Sequence, residues 1–350
     1  MQEGKLHQVD LLLKRSLKSV VAPFSRGWSL TRKPRKNDAA QVLILAYHRV
    51  VAHLAAAERD SIYGLVISTE SFARHLEIVQ AQYDVLSLDE ALLALSGERT
   101  LDRTAVVITF DDGYRDVYEN AWPVLRRMGL PAVVYVPTAF MGSGQILDHD
   151  KLYWLVLQAR AAGIDLQRPL QAAGVAPQQI ARILSARHVA QVADALNYHP
   201  LATRQAILQR LEATLPDAAY PTSYELMSWE MIREMADGGI SFGAHSDRHL
   251  ILTLEDEATS TREIRYSKYV LEEQLKRPIR HFAYPNGYSN AQIQAMVARA
   301  GFASAVTTER TIARRGDNAM TLGRISLCEE STRGITGAYS NAVARLRLAA

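Results

Sequence analysis

Two short clusters in this sequence have the residue types and spacing of a hydrolytic metal centre. Asp111 and Asp112 stand side by side before Gly113, and His245 and His249 stand four residues apart in His245-Ser246-Asp247-Arg248-His249. Adjacent carboxylates repel each other, a conflict relieved when a cation neutralises one and leaves the other free as a base. Two imidazoles at i and i+4 aim at one point when the backbone between them is helical or turn-like. One carboxylate and two imidazoles give three ligands with positions left open for water and substrate, the pattern of catalytic rather than structural zinc sites. A divalent metal, with zinc the best suited, would then sit on Asp112, His245 and His249, polarising an acyl carbonyl and acidifying water while Asp111 takes the water's proton. Each cluster has a plainer explanation. Asp-Asp-Gly suits a turn, and ten histidines in 350 residues give an i, i+4 pair by chance about 0.3 times per chain.

The elements that would position these residues carry the argument further. Apolar runs at 41–47, 104–110, 132–136, 240–244, 281–284, 303–307 and 322–327 alternate with amphipathic helical stretches such as 115–128, 228–236, 254–276 and 291–300. That alternation predicts an α/β fold of parallel strands, and about seven strands predict a (β/α) barrel, distorted or incomplete. Functional groups in such barrels lie just past the C-terminal ends of the strands. Those positions hold His48, Asp111-Asp112-Gly113, His245 and Pro285-Asn286-Gly287. Between about 140 and 227 the strand-like runs stop and helical spacing takes over, which predicts a helical insertion within a barrel spanning 41–330. A helical tail is expected over 331–350.

The segment Thr109-Phe110-Asp111-Asp112-Gly113, followed by His245 to His249, resembles the polysaccharide deacetylases, the NodB-homology or carbohydrate esterase 4 family. The resemblance extends over about 41–145 and 225–327. It implies a distorted (β/α)7 barrel, a divalent metal on Asp112, His245 and His249, Asp111 as general base, and removal of acetyl groups from N-acetylated sugars. Ala283-Tyr284-Pro285-Asn286-Gly287 is similar to the family's third motif. The resemblance assigns the backbone N–H of Asn286 to the developing oxyanion and puts Tyr284 beside the substrate. Ala283 stands where relatives carry the arginine that orients the base, so Arg280 or Arg324 is expected to take that role. No Leu-x-His follows His281 to supply the family's usual general acid. Tyr47-His48 instead resembles the Tyr-His pair of the poly-N-acetylglucosamine deacetylase subgroup, which implies His48 as the acid. His53, His75, His149, His188, His199 and His281 lack comparable partners in sequence and are expected to be surface or internally satisfied. Tyr114, Trp154 and Tyr284 are candidates for stacking on sugar rings, with core packing the alternative for Trp154.

Composition bounds the remaining choices. A hydrophobic fraction of 48% with 22% charged residues is ordinary for a folded enzyme, and the single cysteine, Cys328, excludes an intramolecular disulfide and a cysteine-rich metal site. The net charge of +3 is uneven: residues 1–40 carry nine Lys/Arg against three Asp/Glu, about +6, leaving 31 against 34, about −3, for the rest. Leu13, Leu17, Val20 and Val21 share one face of a short basic amphipathic helix in that leader. It is expected to be either a solvated tail or a peripheral contact with an anionic membrane through residues 1–36. The leader lacks the apolar run of a signal peptide, and no stretch reaches the ~18 apolar residues of a membrane span. The expectation is a cytoplasmic protein, soluble or peripheral on the inner membrane face. No basic, aromatic-interleaved patch suggests nucleic acid. Two other readings stay open: a deacetylase or deformylase of a lipid-linked sugar, and a catalytically silent carbohydrate-binding protein that keeps the fold.

Overall fold

A computed structural model describes residues 40–62, 64–334 and 337–348. The leader and its expected membrane contact, over residues 1–39, lie outside the described residues. Among the described residues there are eleven strands: β1 Gln41–Tyr47, β2 Arg49–Val51, β3 Val66–Ser68, β4 Asp84–Val85, β5 Ala105–Phe110, β6 Val133–Val136, β7 Ser241–Ala244, β8 His281–Ala283, β9 Ser304–Val306, β10 Ala313–Arg314 and β11 Ile325–Ser326. Nine form one sheet with the main order β10-β1-β5-β6-β7-β8-β9, while β4 adds to β5 and β11 to β1. The neighbours from β1 through β9 pair in parallel. The sheet curls until its edges are joined by the segment around β11. Leu322 bridges to Val306 next to β9, and Ile325 and Ser326 pair in parallel with Leu45 and Ala46 of β1. The result is the distorted (β/α) barrel that the strand count predicted.

Side-chain alternation along the strands explains the layering, because successive residues of a strand point to opposite faces. Val42, Ile44, Ala105, Val107, Val133, Tyr135, Ala283, Val306 and Leu322 pack together on the concave face. Leu43, Leu45, Val106, Ile108, Val134, Phe242, Phe282 and Ala305 belong to the larger core under the outer helices. Continuing the same alternation in steps of two, from Ile44, Val107, Gly243 (paired with Tyr135) and Leu322, reaches His48, Asp111, His245 and Arg324, so the pleat gathers these four at one end. The opposite end is covered by the helix Leu88–Ser96, whose Leu88, Ala91 and Leu95 join the concave cluster. That helix begins with a capping box in which the Ser87 hydroxyl accepts the Glu90 N–H and the Glu90 carboxylate accepts the Ser87 N–H.

Helices at Asp148–Ala161, Gln167–Ala172, Pro177–Leu184, Val189–Asn197 and Leu201–Thr214 fill the stretch expected to be helical. They share an apolar cluster built on Leu152, Val156, Leu170, Val192, Leu196, Ile207 and Leu211. Buried Arg49 ties this region to the barrel. Its Nε donates to Asp116 Oδ2 at 2.8 Å, its Nη1 to Ser61 Oγ at 2.6 Å, and its Nη2 to the Ser223 carbonyl on the return from the helices. After β11, the helices Glu329–Thr332 and Asn341–Leu348 fold back, with Ala344 and Leu348 in the main core.

Candidate metal centre

The chain turns sharply at each strand end that carries a chemical group. Five non-glycine residues among those described have positive φ, and four of them, Asp112 (φ 73°), Ser246 (φ 58°), His249 (φ 52°) and Asn286 (φ 56°), lie at this rim. Left-handed backbone in non-glycine residues is costly and persists where the surroundings over-determine it. At Asp112 it breaks the alternation after Asp111 and brings both carboxylates to the same mouth. Gly113 continues the turn at φ 71°, where a Cβ would meet Met141 Sδ and Val136 Cγ1 at 2.9 Å.

The turn brings Asp112 to the two histidines. Asp112 Oδ1 lies 3.6 Å from His245 Nε2 and 3.3 Å from His249 Nε2, and one ligand atom from each of the three falls within 4.8 Å of the others. The donor set fits a divalent cation on two further counts. Asp112 Oδ1 is buried without a hydrogen-bond partner, an orphaned acceptor of the kind a cation satisfies. His245 Nδ1 donates to the Ala283 carbonyl at 2.8 Å, which leaves the lone pair on Nε2, facing Asp112. Burial pushes the Asp112 carboxyl up, but His249, His149 and His48 outweigh it and hold Asp112 ionised. Burial likewise pushes His249 down to about 4, so its imidazole is neutral and able to ligate.

The loop between the histidines is fixed from outside. Glu263, fully buried on the helix Glu257–Leu275, accepts the N–H groups of Asp247 and Arg248 on one oxygen, Oε2, at 3.0 and 2.7 Å. Thr138 Oγ1 donates to Asp247 Oδ1 at 2.7 Å. None of Glu263, Asp247 and Thr138 stands out in the sequence, because their partners are backbone groups or distant side chains.

Asp111 faces a different neighbour. Arg324 donates to both its oxygens, Nη1 to Oδ1 at 2.7 Å and Nη2 to Oδ2 at 2.6 Å. Burial pushes this carboxyl up, yet the Arg324 guanidinium prevails and keeps it below the ordinary carboxylate range. Of the two arginines expected to stand in for the missing one at Ala283, Arg324 is the one that reaches Asp111. Arg280 is instead paired with Asp89 at 2.8 Å, at the end of the barrel covered by Leu88–Ser96. His48 Nε2 stands 4.0 Å from Asp111 Oδ2 with a fifth of its side chain exposed.

The motif-three turn Pro285–Gly287 follows β8 on the same rim and is partly exposed at Asn286. Gly287 is required there, since at φ 77° a Cβ would run into Thr308. Tyr284 departs from expectation. It is fully buried, its hydroxyl donates to the Met320 carbonyl at 3.0 Å, and it presents no face to a substrate. Tyr114 is equally buried, with its hydroxyl donated to Asp150 Oδ2 at 2.7 Å, and Trp154 packs edge-on against Tyr224.

His149 is internally satisfied, in line with expectation, but it also lies beside the candidate ligands, which was not expected. Carried in on the first turn of Asp148–Ala161, its Nε2 lies 3.1 Å from the Tyr114 hydroxyl and 4.0 Å from Asp112 Oδ2, and its ring sits 5.0 Å from that of His249. Since the Tyr114 proton goes to Asp150, its oxygen accepts from His149, placing the imidazole proton on Nε2. Sequence reasoning missed it because nothing local marks it. The available signal was Asp148-His149-Asp150, two carboxylates flanking an imidazole on the first turn of a helix whose middle, Leu152 to Leu157, is apolar.

The fold and site together define a (β/α) barrel with an Asp-His-His centre and a second, arginine-held aspartate at the C-terminal rim. Residues 98–305 match the family model described as polysaccharide deacetylase, and the chain belongs to that family. It is 27% identical over 154 residues to YxkH of Bacillus subtilis (strain 168), a relative named for the same family; the match covers 44% of this chain and half the length of that relative. Among solved structures it is similar to the Streptococcus pyogenes deacetylase PplD in complex with acetate (TM-score 0.55, 20% identity, 85% of this chain and 96% of the other). It is also similar to IcaB from Ammonifex degensii (TM-score 0.55, 19% identity, 84% and 94%) and to a de-N-acetylase from Aggregatibacter actinomycetemcomitans (TM-score 0.56, 17% identity, 88% and 99%). At these identities the likeness is one of fold.

Proposed function

We propose that this protein is a divalent-metal-dependent hydrolase that removes acetyl groups from N-acetylated sugars of a polysaccharide or glycan precursor. The observation that carries the reading is the meeting of Asp112, His245 and His249 within 4.8 Å beside a separate carboxylate, Asp111, that Arg324 grips by both oxygens. Asp112, His245 and His249 would hold the cation, for which zinc is the best match to the donor set. When bound, it supplies Lewis-acid polarisation of the acyl carbonyl and acidification of water. Asp111, held ionised by Arg324, is the group that accepts the water's proton as oxygen adds to the carbonyl carbon. The Asn286 N–H is assigned to the oxygen on which charge develops. Burial pushes the His48 imidazole down against the pull of Asp112 and Asp111, so it begins the cycle neutral. It can therefore act as an acid only after taking a proton, and Asp111, 4.0 Å away, is the neighbour that has just gained one. Delivery of that proton to the leaving amine completes hydrolysis to free acetate and amino sugar.

Acetate release from a panel of N-acetylated mono- and oligosaccharides, with EDTA inactivation and metal add-back, tests the reading. Turnover unaffected by EDTA, or absent on every sugar, would sink it. The basic leader, about +6 over residues 1–40, favours a second version in which the substrate is a lipid-linked acetyl or formyl sugar at the inner membrane face. Liposome flotation with and without residues 1–36 decides between them, since unchanged association on truncation removes the leader from the argument.

A further inference from the structure

Two large, half-exposed aromatic side chains touch each other beside the motif-three turn. Tyr198 is 47% exposed and Tyr288 46% exposed, with ring centroids 5.5 Å apart and planes crossed at 70°. They come from distant parts of the chain. Tyr198 ends the helix Val189–Asn197 of the inserted region, and Tyr288 ends the motif-three turn Pro285–Gly287.

Several contacts locate the pair beside the metal centre. Tyr288 is two residues from Asn286, on the rim formed by the end of β8. On the other side, the Tyr198 N–H donates to the Asp194 carbonyl at 3.0 Å, one helical turn back. The helix Val189–Asn197 packs through Val192 and Leu196 on Leu152 and Val156 of Asp148–Ala161, the helix whose first turn carries His149 against His249. Three residues after Tyr198, the Leu201 N–H donates to Glu255 Oε1 at 2.7 Å, pinning the inserted helices to the loop that follows His249. The tyrosines thus join the end of the inserted helix Val189–Asn197 to the turn that carries Asn286.

We propose that Tyr198 and Tyr288 form a glycan subsite that takes the apolar face of a pyranose ring neighbouring the sugar in the metal centre. Resting on the carbohydrate reading above, this extends it from one sugar to a chain. An edge-to-face pair leaves each ring with a free face at an angle to the other. Tyrosine at such a place offers an apolar body with a polar tip that suits the mixed surface of a sugar. A strut whose only task was to fasten the inserted helices to the barrel would be better buried than left half in water.

The test measures binding and turnover separately on the full chain. Calorimetric titration with an N-acetylglucosamine pentasaccharide, in β-1,6- and β-1,4-linked forms, is run on an Asp111→Asn background with Tyr198→Ala, Tyr288→Ala and Tyr288→Phe. Each alanine variant is expected to weaken binding of at least one form by about fivefold to tenfold, with the phenylalanine variant close to the parent. With Asp111 intact, the ratio of kcat/KM on pentasaccharide to that on the monosaccharide should fall by a similar factor. Unchanged affinity in both alanine variants, or equal losses on monosaccharide and pentasaccharide, overturns the subsite, as does failure of the parent to bind pentasaccharide. Tyrosine-dependent binding without acetate release from any sugar supports the subsite and counts against the catalytic reading alone.

Discussion

Arg324 reaches across 213 residues of sequence to hold Asp111 by both carboxylate oxygens. Its Nε donates at 2.9 Å to the Thr307 carbonyl just past β9 and its Nη1 lies 3.3 Å from Thr109 Oγ1 on β5, so the guanidinium is fixed from two separate parts of the sheet. The segment that closes the sheet between β9 and β1 is therefore also the segment that holds Asp111, the proposed base. Ala283 stands where the motif that this turn resembles carries an arginine, and the guanidinium beside Asp111 comes instead from Arg324.

Replacing Asp111 by Asn keeps the shape and removes the proposed base. Acetate release is expected to fall by roughly 100-fold or more, with metal content by elemental analysis unchanged because Asp112, His245 and His249 remain. Activity near the parent's would reduce Asp111 to a turn residue.

Arg324→Lys retains a cation and loses the fork, since lysine cannot match both oxygens at once. Arg324 holds the Asp111 carboxyl down against burial, so weakening it should raise that pKa and move the acid limb of the kcat/KM profile to higher pH. Arg324→Met is expected to be worse folded by about 3–5 kcal/mol, because it strands a buried carboxylate. An acid limb that stays put in the lysine variant would show that Arg324 serves packing alone.

Much of this arrangement was legible in the sequence, and the failures have physical causes. The apolar runs marked the strands because a parallel sheet is buried on both faces, as the unbroken burial of β5 shows. Asp111, Asp112, His245 and His249 were visible because they sit beside one another or one turn apart. The choice between Arg280 and Arg324 was not, because it depends on which end of a strand each occupies. Neither was the burial of Tyr284, whose hydroxyl is satisfied by Met320, nor the arrival of His149, since the path of an inserted region is a tertiary property. The helix expected over 115–128 does run from Arg115 to Met128 and ends at Gly129, but it carries a π-helical stretch at Val117–Ala121 that no sequence pattern marked.

Glu263 makes no contact with the proposed ligands and still sets their loop. Changing it to Gln replaces one carboxylate oxygen with an amide that donates, against the N–H groups of Asp247 and Arg248 or against Arg248 Nε at 3.2 Å. Zinc affinity, measured by competition with a chromogenic chelator, is expected to drop about 10- to 100-fold, the usual cost of losing an outer-sphere partner. An unchanged affinity would mean that the left-handed residues Ser246 and His249 hold their positions unaided.

His149→Phe keeps a ring of similar size while breaking the link from Asp150 through Tyr114 toward Asp112. If the imidazole helps position Asp112 Oδ2, the variant should bind zinc with about tenfold lower affinity while melting within a few degrees of the parent. Equal losses in zinc affinity and melting temperature would mark His149 as packing for the inserted helices.

His75 offers a pH test remote from the chemistry. Its Nδ1 lies 3.3 Å from the Tyr47 hydroxyl, and its Nε2 is buried without a partner. Burial pushes its pKa down to about 4 from an ordinary 6.5. Below 6.5 the unfolded chain takes up a proton that the folded chain refuses until about 4, so this contribution to stability is complete above 6.5 and is lost as pH falls through that window. The loss can reach about 1.4 kcal/mol per pH unit for one group. His75→Gln removes the titration and leaves a polar partner for Tyr47. Urea unfolding of the metal-free protein at pH 7.5, 6 and 5 should therefore show the parent losing stability faster than the variant as acid is added. Parallel losses in the two proteins would mean that His75 takes up its proton in the folded state as readily as in the unfolded one, through an opening of the Tyr47 pocket.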